Sequence, residues 1–280
     1  MTMGTRRFAQ VDVFTSEPYR GNPVAVVLDG DGVDDDTMAR FAKWTNLSET
    51  TFVQTATTRD ADYKLRIFTP GGEIPFAGHP TLGSAHAWLA SADDSSNRSQ
   101  IVQECGVGLV TVKRDGSALS FRAPNPVKSG PLDEEYLEHI CAALRIHRDS
   151  ILDHQWVDNG PGWAAVRLSS ASEVLELEPD ETLMKDLILG VVGPHPDGFA
   201  QQFEVRSFAL LLGIPEDPVT GSLNAGIGQW LIRSGVAPSS YRARQGTVLG
   251  RHGIISVADS SDGLWVGGES VTCIDGNVSL

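Results

Sequence analysis

The sequence predicts an α/β (α+β) protein made of two related halves, each with strands at its periphery and one helix of small residues at its centre. Two loops carry the first observation. Gly78-His79-Pro80-Thr81-Leu82-Gly83-Ser84 and Asp217-Pro218-Val219-Thr220-Gly221-Ser222 each set a polar residue before a proline, then Gly-Ser after two intervening positions. The second observation is register. Pro80 and Pro218, Gly83 and Gly221, Ser84 and Ser222, and Pro23 and Pro161 are all 138 positions apart, and Arg66-Ile67-Phe68 matches Arg206-Ser207-Phe208 at 140. Matches at one offset over a long stretch indicate duplicated halves. The third is an alternation of strand and helix signals along the chain.

In order, residues 10–14 and 24–28 have the β-branched content of strands, with the turn Gly21-Asn22-Pro23 between them. Residues 34–44 open on acids and repeat Met38, Phe41 and Ala42 on one side, as a short amphipathic helix does. Residues 50–54 and 63–68 return to alternation, and Pro70-Gly71-Gly72 is a turn. Residues 83–90 read as the small-residue helix, and 101–113 and 118–122 as strands closing the first half. The proline-rich stretch 123–131 is the expected linker, unable to continue a helix or a sheet. A polar helix over 133–144 then opens the second half, and the pattern repeats. The expected domains are 1–125, carrying Glu49 and His79, and 126–280, carrying Asp217, with the last strand able to return to the first half.

Composition narrows the function classes. At 280 residues the chain is long enough for two cores. Its 41% hydrophobic and 21% charged content is that of an ordinary globular protein, and no apolar run reaches bilayer length. No export signal is read after Arg6-Arg7, and Cys105, Cys141 and Cys273 form no spaced pair, which suits a reducing cytoplasm. A formal charge of -14 disfavours nucleic acid and otherwise serves solubility.

Several chemistries fail on spacing. Gly78 to Gly83 has the glycine spacing of a phosphate loop, but Ser84 stands where a nucleotide site needs Lys. No dinucleotide fingerprint, nucleophile elbow or Cys-x-x-Cys pair is present, and His79 and His86 lack a third metal ligand at suitable spacing. What remains is proton transfer on a bound organic acid, using carboxylates, imidazole and helix N-termini, whose backbone N–H groups favour anions. Glu49, in Asn46-Leu47-Ser48-Glu49-Thr50, is the candidate carrier. It stands between a helix and an apolar strand, where burial would raise its pKa toward neutrality. The competing reading is a loop glutamate bonded to neighbouring Ser or Thr hydroxyls.

Asn46-Leu-Ser-Glu-Thr-Thr-Phe-Val53, the stretch from Arg66 to Thr81, Glu216-Asp-Pro-Val-Thr-Gly-Ser222 and the entry segment around Arg20-Gly-Asn-Pro-Val-Ala25 together resemble the phenazine-biosynthesis PhzF-like isomerase family. The resemblance covers nearly the whole chain. It implies a diaminopimelate-epimerase-like fold, two pseudo-symmetric domains with strands wrapped around a central helix, an active site in the cleft between them, and a homodimer. It also implies isomerisation of a dihydro-hydroxyanthranilate by a proton shift, without metal or organic cofactor. Carried over, Glu49 is the general acid/base and Ser48 orients it. His79 and Asp217 contact substrate and relay protons, while Gly78, Gly221 and Ser222 bind the substrate's anionic group. Related epimerases place a cysteine in each loop; neither loop here has one.

Structural alternatives stand beside these roles. Pro80 and Pro218 can occupy first helical positions, which makes His79 and Asp217 N-caps. Gly83 and Gly221 can be small for packing. Arg66 and Arg206 look more like one repeated structural ion pair than like two ligands for a carboxylate. Glu49 has no counterpart 138 positions on, where Leu187 stands. The expectation is therefore a cytoplasmic isomerase of a small carboxylated metabolite. An amino-acid-type epimerase or racemase, or an isomerase of another natural-product pathway, is the alternative within that class. A non-catalytic small-acid binding protein is the alternative outside it.

Overall fold

A computed structural model describes residues 4–91 and 98–280. The chain divides into two units, Met1–Arg122 with Gly267–Leu280, and Ala123–Val266. Unit 1 begins with β1 (Thr5–Val13), β2 (Asn22–Val27) and α1 (Asp35–Thr45). Asp34 caps α1 by accepting the Thr37 N–H, and Asn46 ends it in the left-handed conformation. There follow β3 (Thr50–Gln54), β4 (Tyr63–Thr69), β5 (Gly72–Ile74), α2 (Gly78–Ser91), β6 (Gln100–Cys105), β7 (Gly108–Asp115) and β8 (Ala118–Arg122). Unit 2 contains β9 (Lys128–Gly130), α3 (Glu134–Leu144), β10 (Asp153–Asp158), β11 (Ala164–Arg167), α4 (Ala171–Leu175), α5 (Glu181–Met184), β12 (Leu189–Pro194) and β13 (Phe203–Phe208). It continues through α6 (Gly221–Arg233), β14 (Ser240–Gln245), β15 (Gly253–Ser260) and the first four residues of β16 (Gly263–Gly268), whose last two belong to unit 1. The final strand, β17 (Ser270–Ser279), lies antiparallel to β1 in unit 1.

The two units repeat one succession of pairings. In unit 1, β1 is antiparallel to β2, β2 parallel to β3, β3 antiparallel to β4, β4 parallel to β6 and β6 antiparallel to β7. In unit 2, β10 to β11, β11 to β12, β12 to β13, β13 to β14 and β14 to β15 follow the same alternation. The registers superpose the halves residue by residue. Ala25 faces Thr50 and Thr50 faces Phe68, just as Ala164 faces Leu189 and Leu189 faces Phe208. Glu49, which precedes Thr50, therefore corresponds to Ile188 and not to Leu187; the counterpart is still a buried apolar residue.

Each central helix is buried along most of its length, and glycine is what lets it sit so close to the strands. A Cβ on Gly83 of α2 would lie 2.4 Å from Val24 Cγ1, and one on Gly226 of α6 would lie 2.2 Å from the Val157 carbonyl oxygen. The other face of the strands is covered by the amphipathic helices. Met38, Phe41 and Ala42 of α1 pack with Val27, Phe52 and Phe68. Leu137, Ile140 and Leu144 of α3 pack with Val166, Leu189 and Phe208.

Three local expectations change. The central helix of unit 1 begins at Gly78, not near Gly83. Its first backbone bond runs from Thr81 N to Ala77 O, so Pro80 falls within the first turn, where the missing N–H costs no helical bond. Residues 101–113 form a hairpin rather than one strand, since Cys105 pairs with Gly108 across Gly106-Val107. The proline-rich stretch also contributes to the sheet: its proline-free part, Lys128–Gly130, pairs antiparallel with β10. No helix among the described residues is long and apolar enough to cross a membrane.

Candidate active site

In unit 1 the left-handed residue Asn46 turns the chain out of α1, and Glu49 enters the sheet one residue ahead of β3. Its carbonyl accepts from Ala25 N at 3.5 Å, extending the parallel pairing with β2. The Glu49 side chain is only 12% exposed. Burial pushes its pKa from the ordinary 4.5 up to about 7, against a smaller lowering by a hydrogen bond with Ser48. His79, in the first turn of α2, places Nε2 3.3 Å from Glu49 Oε2, and its side chain is 7% exposed. The contact is close, although its orientation falls short of a formed hydrogen bond. Ser48, Glu49 and His79 thus form one cluster. Gly78 opens α2 beside it against the Phe121 ring, whose Cζ would lie 2.6 Å from an added Cβ.

In unit 2 the loop before α6 is held by a buried glutamine. Gln245 Nε2 donates to the Asp217 carbonyl at 3.0 Å and to Thr220 Oγ1 at 3.0 Å. Its Oε1 accepts from Thr220 N at 3.1 Å and Asn224 Nδ2 at 2.9 Å. Thr220 Oγ1 in turn donates to Asp217 Oδ2 at 2.5 Å. Asp217 is 8% exposed and its N–H is bound by the Ser207 carbonyl. Gly221 and Ser222 are the first two residues of α6. Ser222 Oγ accepts from Trp163 Nε1 at 3.0 Å, and its carbonyl accepts from Asn159 Nδ2 at 2.8 Å.

The capping alternatives fall away. His79 lies inside α2, and the N-cap of α6 is Thr220, so Asp217 stands three residues before the cap, bonded to its hydroxyl. The two Gly-Ser pairs also part company. Ser222 sits at a helix N-terminus, whereas Ser84 lies within α2, fully buried and 2.8 Å from Thr51 Oγ1. Arg66 and Arg206 are structural, as expected of a repeated pair. Arg66 grips Glu73 through Nε and Nη2 at 2.7 and 2.6 Å, and Arg206 grips Glu216 at 2.9 and 2.8 Å. Each guanidinium also lies over the phenylalanine two residues on, Phe68 or Phe208, at 5.1 and 5.0 Å. The three cysteines are free thiols outside both loops.

Sequence reasoning passed over Thr220, Gln245 and Trp163. Unit 1 has a similar buried glutamine, Gln103, which donates to Thr81 Oγ1 and accepts from Tyr63 OH, both at 3.1 Å, although the ladders set it against Ala243 and not Gln245. A glutamine on the parallel-paired strand of each half, β6 and β14, was the available signal.

Comparison with known proteins agrees with this architecture. The family model described as phenazine biosynthesis-like protein matches residues 11–276. A Schizosaccharomyces pombe protein named antisense-enhancing sequence 1 is 37% identical, over 98% of this chain and 99% of its own. A trans-2,3-dihydro-3-hydroxyanthranilate isomerase from Pseudomonas aeruginosa is 33% identical over 88% and 87%. A PhzF-family phenazine biosynthesis protein from Enterococcus faecalis superposes with a TM-score of 0.82 at 26% identity, covering 99% of this chain and all of the other. A hydroxyproline epimerase from Agrobacterium vitis shares the fold at a TM-score of 0.60 and 12% identity, over 99% of this chain and 93% of its own. With its duplicated, diaminopimelate-epimerase-like halves, this chain belongs to the PhzF-like phenazine biosynthesis family of isomerases.

Proposed function

We propose that this isomerase moves a proton within a small carboxylated metabolite of the trans-2,3-dihydro-3-hydroxyanthranilate type, with Glu49 as the general acid/base and no cofactor. The observation that supports this most is the buried Glu49 carboxyl, raised to about 7 and 3.3 Å from His79. A carboxyl poised there is populated as both base and acid at neutral pH, which is the condition for lifting a proton and giving it back. Ionised Glu49 takes the proton from a carbon next to the double bond, the electron pair shifts along the conjugated system, and the same carboxyl returns the proton at a new carbon. Atoms and charge are conserved. Ser48 holds Glu49 in place, and His79 is near enough to take up or hand back a proton.

In unit 2, Asp217 is assigned to a hydroxyl or amino group of that substrate, because a carboxylate would repel another carboxylate. Gly221 and Ser222 are assigned to the substrate's anionic group, which the first turn of α6 favours electrostatically; Gly78 is assigned the same kind of contact in unit 1. The cysteine positions disfavour the two-thiol epimerase alternative. The test is turnover of trans-2,3-dihydro-3-hydroxyanthranilate, with the product's double-bond positions read by NMR. Glu49→Gln should lose roughly a thousandfold in kcat, within the usual range for a positioned acid/base. A variant that keeps wild-type kcat removes Glu49 from the mechanism.

A further inference from the structure

The duplicated serines differ in the direction of their hydroxyl hydrogens, and the difference follows from their partners. A serine or threonine hydroxyl has one hydrogen to donate, and an indole N–H can only donate. In unit 1, Thr51 Oγ1 donates to the Ala25 carbonyl at 3.2 Å. The 2.8 Å contact between Thr51 and Ser84 is therefore donated by Ser84, whose hydrogen is consumed inside the core. In unit 2, Trp163 Nε1 donates to Ser222 Oγ at 3.0 Å, so Ser222 is the acceptor there and keeps its hydrogen to give elsewhere.

The tryptophan occupies a position set by the duplication. Trp163 precedes Ala164 as Val24 precedes Ala25, the two alanines being equivalent in the ladders. Val24 presses on Gly83 of its central helix, while the Trp163 indole reaches the residue after Gly221, which is Ser222. Trp163 is 3% exposed, which fixes the indole, whereas Ser222 is partly exposed. Asn159 holds the backbone of the same serine through its carbonyl. The result is a hydroxyl at the second position of a helix, whose oxygen accepts from the indole and whose hydrogen is left to donate.

We propose that Trp163 is a positioning residue that makes Ser222 a dedicated hydrogen-bond donor to the substrate carboxylate, a task that Ser84 cannot perform in the other half. This rests on the isomerase reading above and deepens it. The test compares wild type, Trp163→Phe, Ser222→Ala and the double variant. It uses turnover of trans-2,3-dihydro-3-hydroxyanthranilate, and calorimetric binding of 3-hydroxyanthranilate, a non-reacting aromatic acid, and of 2-aminophenol, which lacks the carboxylate.

Trp163→Phe keeps the ring and should raise KM, and Kd for the acid, about three- to tenfold, with kcat within about twofold of wild type. In the Ser222→Ala background the same change should add nothing. 2-Aminophenol should bind all four proteins alike. Multiplicative effects in the double variant, or a fall in kcat at unchanged KM, overturn the assignment. Ser222→Ala supplies a second readout that leaves the tryptophan intact: the NMR signal of the Trp163 indole N–H should respond to 3-hydroxyanthranilate in wild type and not in this variant, and an unchanged response also overturns it. A wild-type protein that neither binds nor turns over the acids defeats the isomerase reading and this assignment with it. Normal wild-type turnover with an unaffected Trp163→Phe defeats this assignment alone.

Discussion

Replacing Glu49 by Gln should stabilise the protein increasingly as pH rises from about 4.5 to about 7, hold that gain above 7, and leave stability unchanged below about 4.5. In the folded state this carboxyl holds its proton up to about 7, while in the unfolded chain it loses it near 4.5. Between those values the folded protein binds more protons than the unfolded one, so stability falls as pH rises through that window. Each pH unit of difference is worth about 1.4 kcal/mol, so over the interval from 4.5 to about 7 the ionised, buried carboxylate costs up to about 3.5 kcal/mol. Glutamine resembles the neutral acid in shape and carries no titration. Urea unfolding of the unit that holds Glu49, for wild type and Glu49→Gln at pH 4.5, 6, 7 and 8, measures the difference directly. The two stabilities should coincide near pH 4.5 and diverge by roughly 3 kcal/mol at pH 8, with the variant the more stable. Parallel pH dependences would show that Glu49 is not desolvated in the folded state.

The same titration should shape catalysis. If Glu49 is the base as proposed, kcat/KM should rise with pH and level off above about 7, and an acid limb near 4.5 would contradict the burial argument. The two structural ion pairs should differ in worth. Arg206 is 4% exposed and also donates to the Val174 and Leu177 carbonyls, so Glu216→Gln, which leaves it without a counter-charge, should cost about 3 kcal/mol in urea unfolding. Glu73 is 43% exposed and Arg66 keeps Asp35 as a second partner, so Glu73→Gln should cost no more than about 1 kcal/mol; equal losses would refute the distinction.

What could be read in advance was whatever the duplication repeats locally. The Gly and Pro matches reported positions where the backbone passes close to another element, and Arg66 and Arg206 matched because each grips a glutamate ten or fewer positions along its own chain segment. Glu49 stood out because a carboxylate between a helix and an apolar strand is unfavourable for stability. The start of α2 is not visible in the small-residue run from Gly83, because the helix begins five residues earlier at Gly78 and its first turn accommodates Pro80, which has no N–H to lose there. Trp163 and Gln245 escaped because their partners are remote in sequence: Ser222 lies 59 positions from Trp163, and Thr220 25 positions from Gln245. Hydroxyl direction is set by such long-range donors. The two Gly-Ser pairs of identical sequence therefore have different partners, Ser84 buried within α2 and Ser222 at the N-terminus of α6.

The most direct test of the central claim is where solvent hydrogen goes during turnover. With trans-2,3-dihydro-3-hydroxyanthranilate in deuterated water, wild type should form product carrying deuterium at the newly protonated carbon, in proportion to exchange of the Glu49 carboxyl during the reaction. Glu49→Gln should form product, and exchange deuterium into recovered substrate, roughly a thousandfold more slowly. Product formation or substrate exchange at wild-type rate in that variant would place the proton shift on another group and contradict the account.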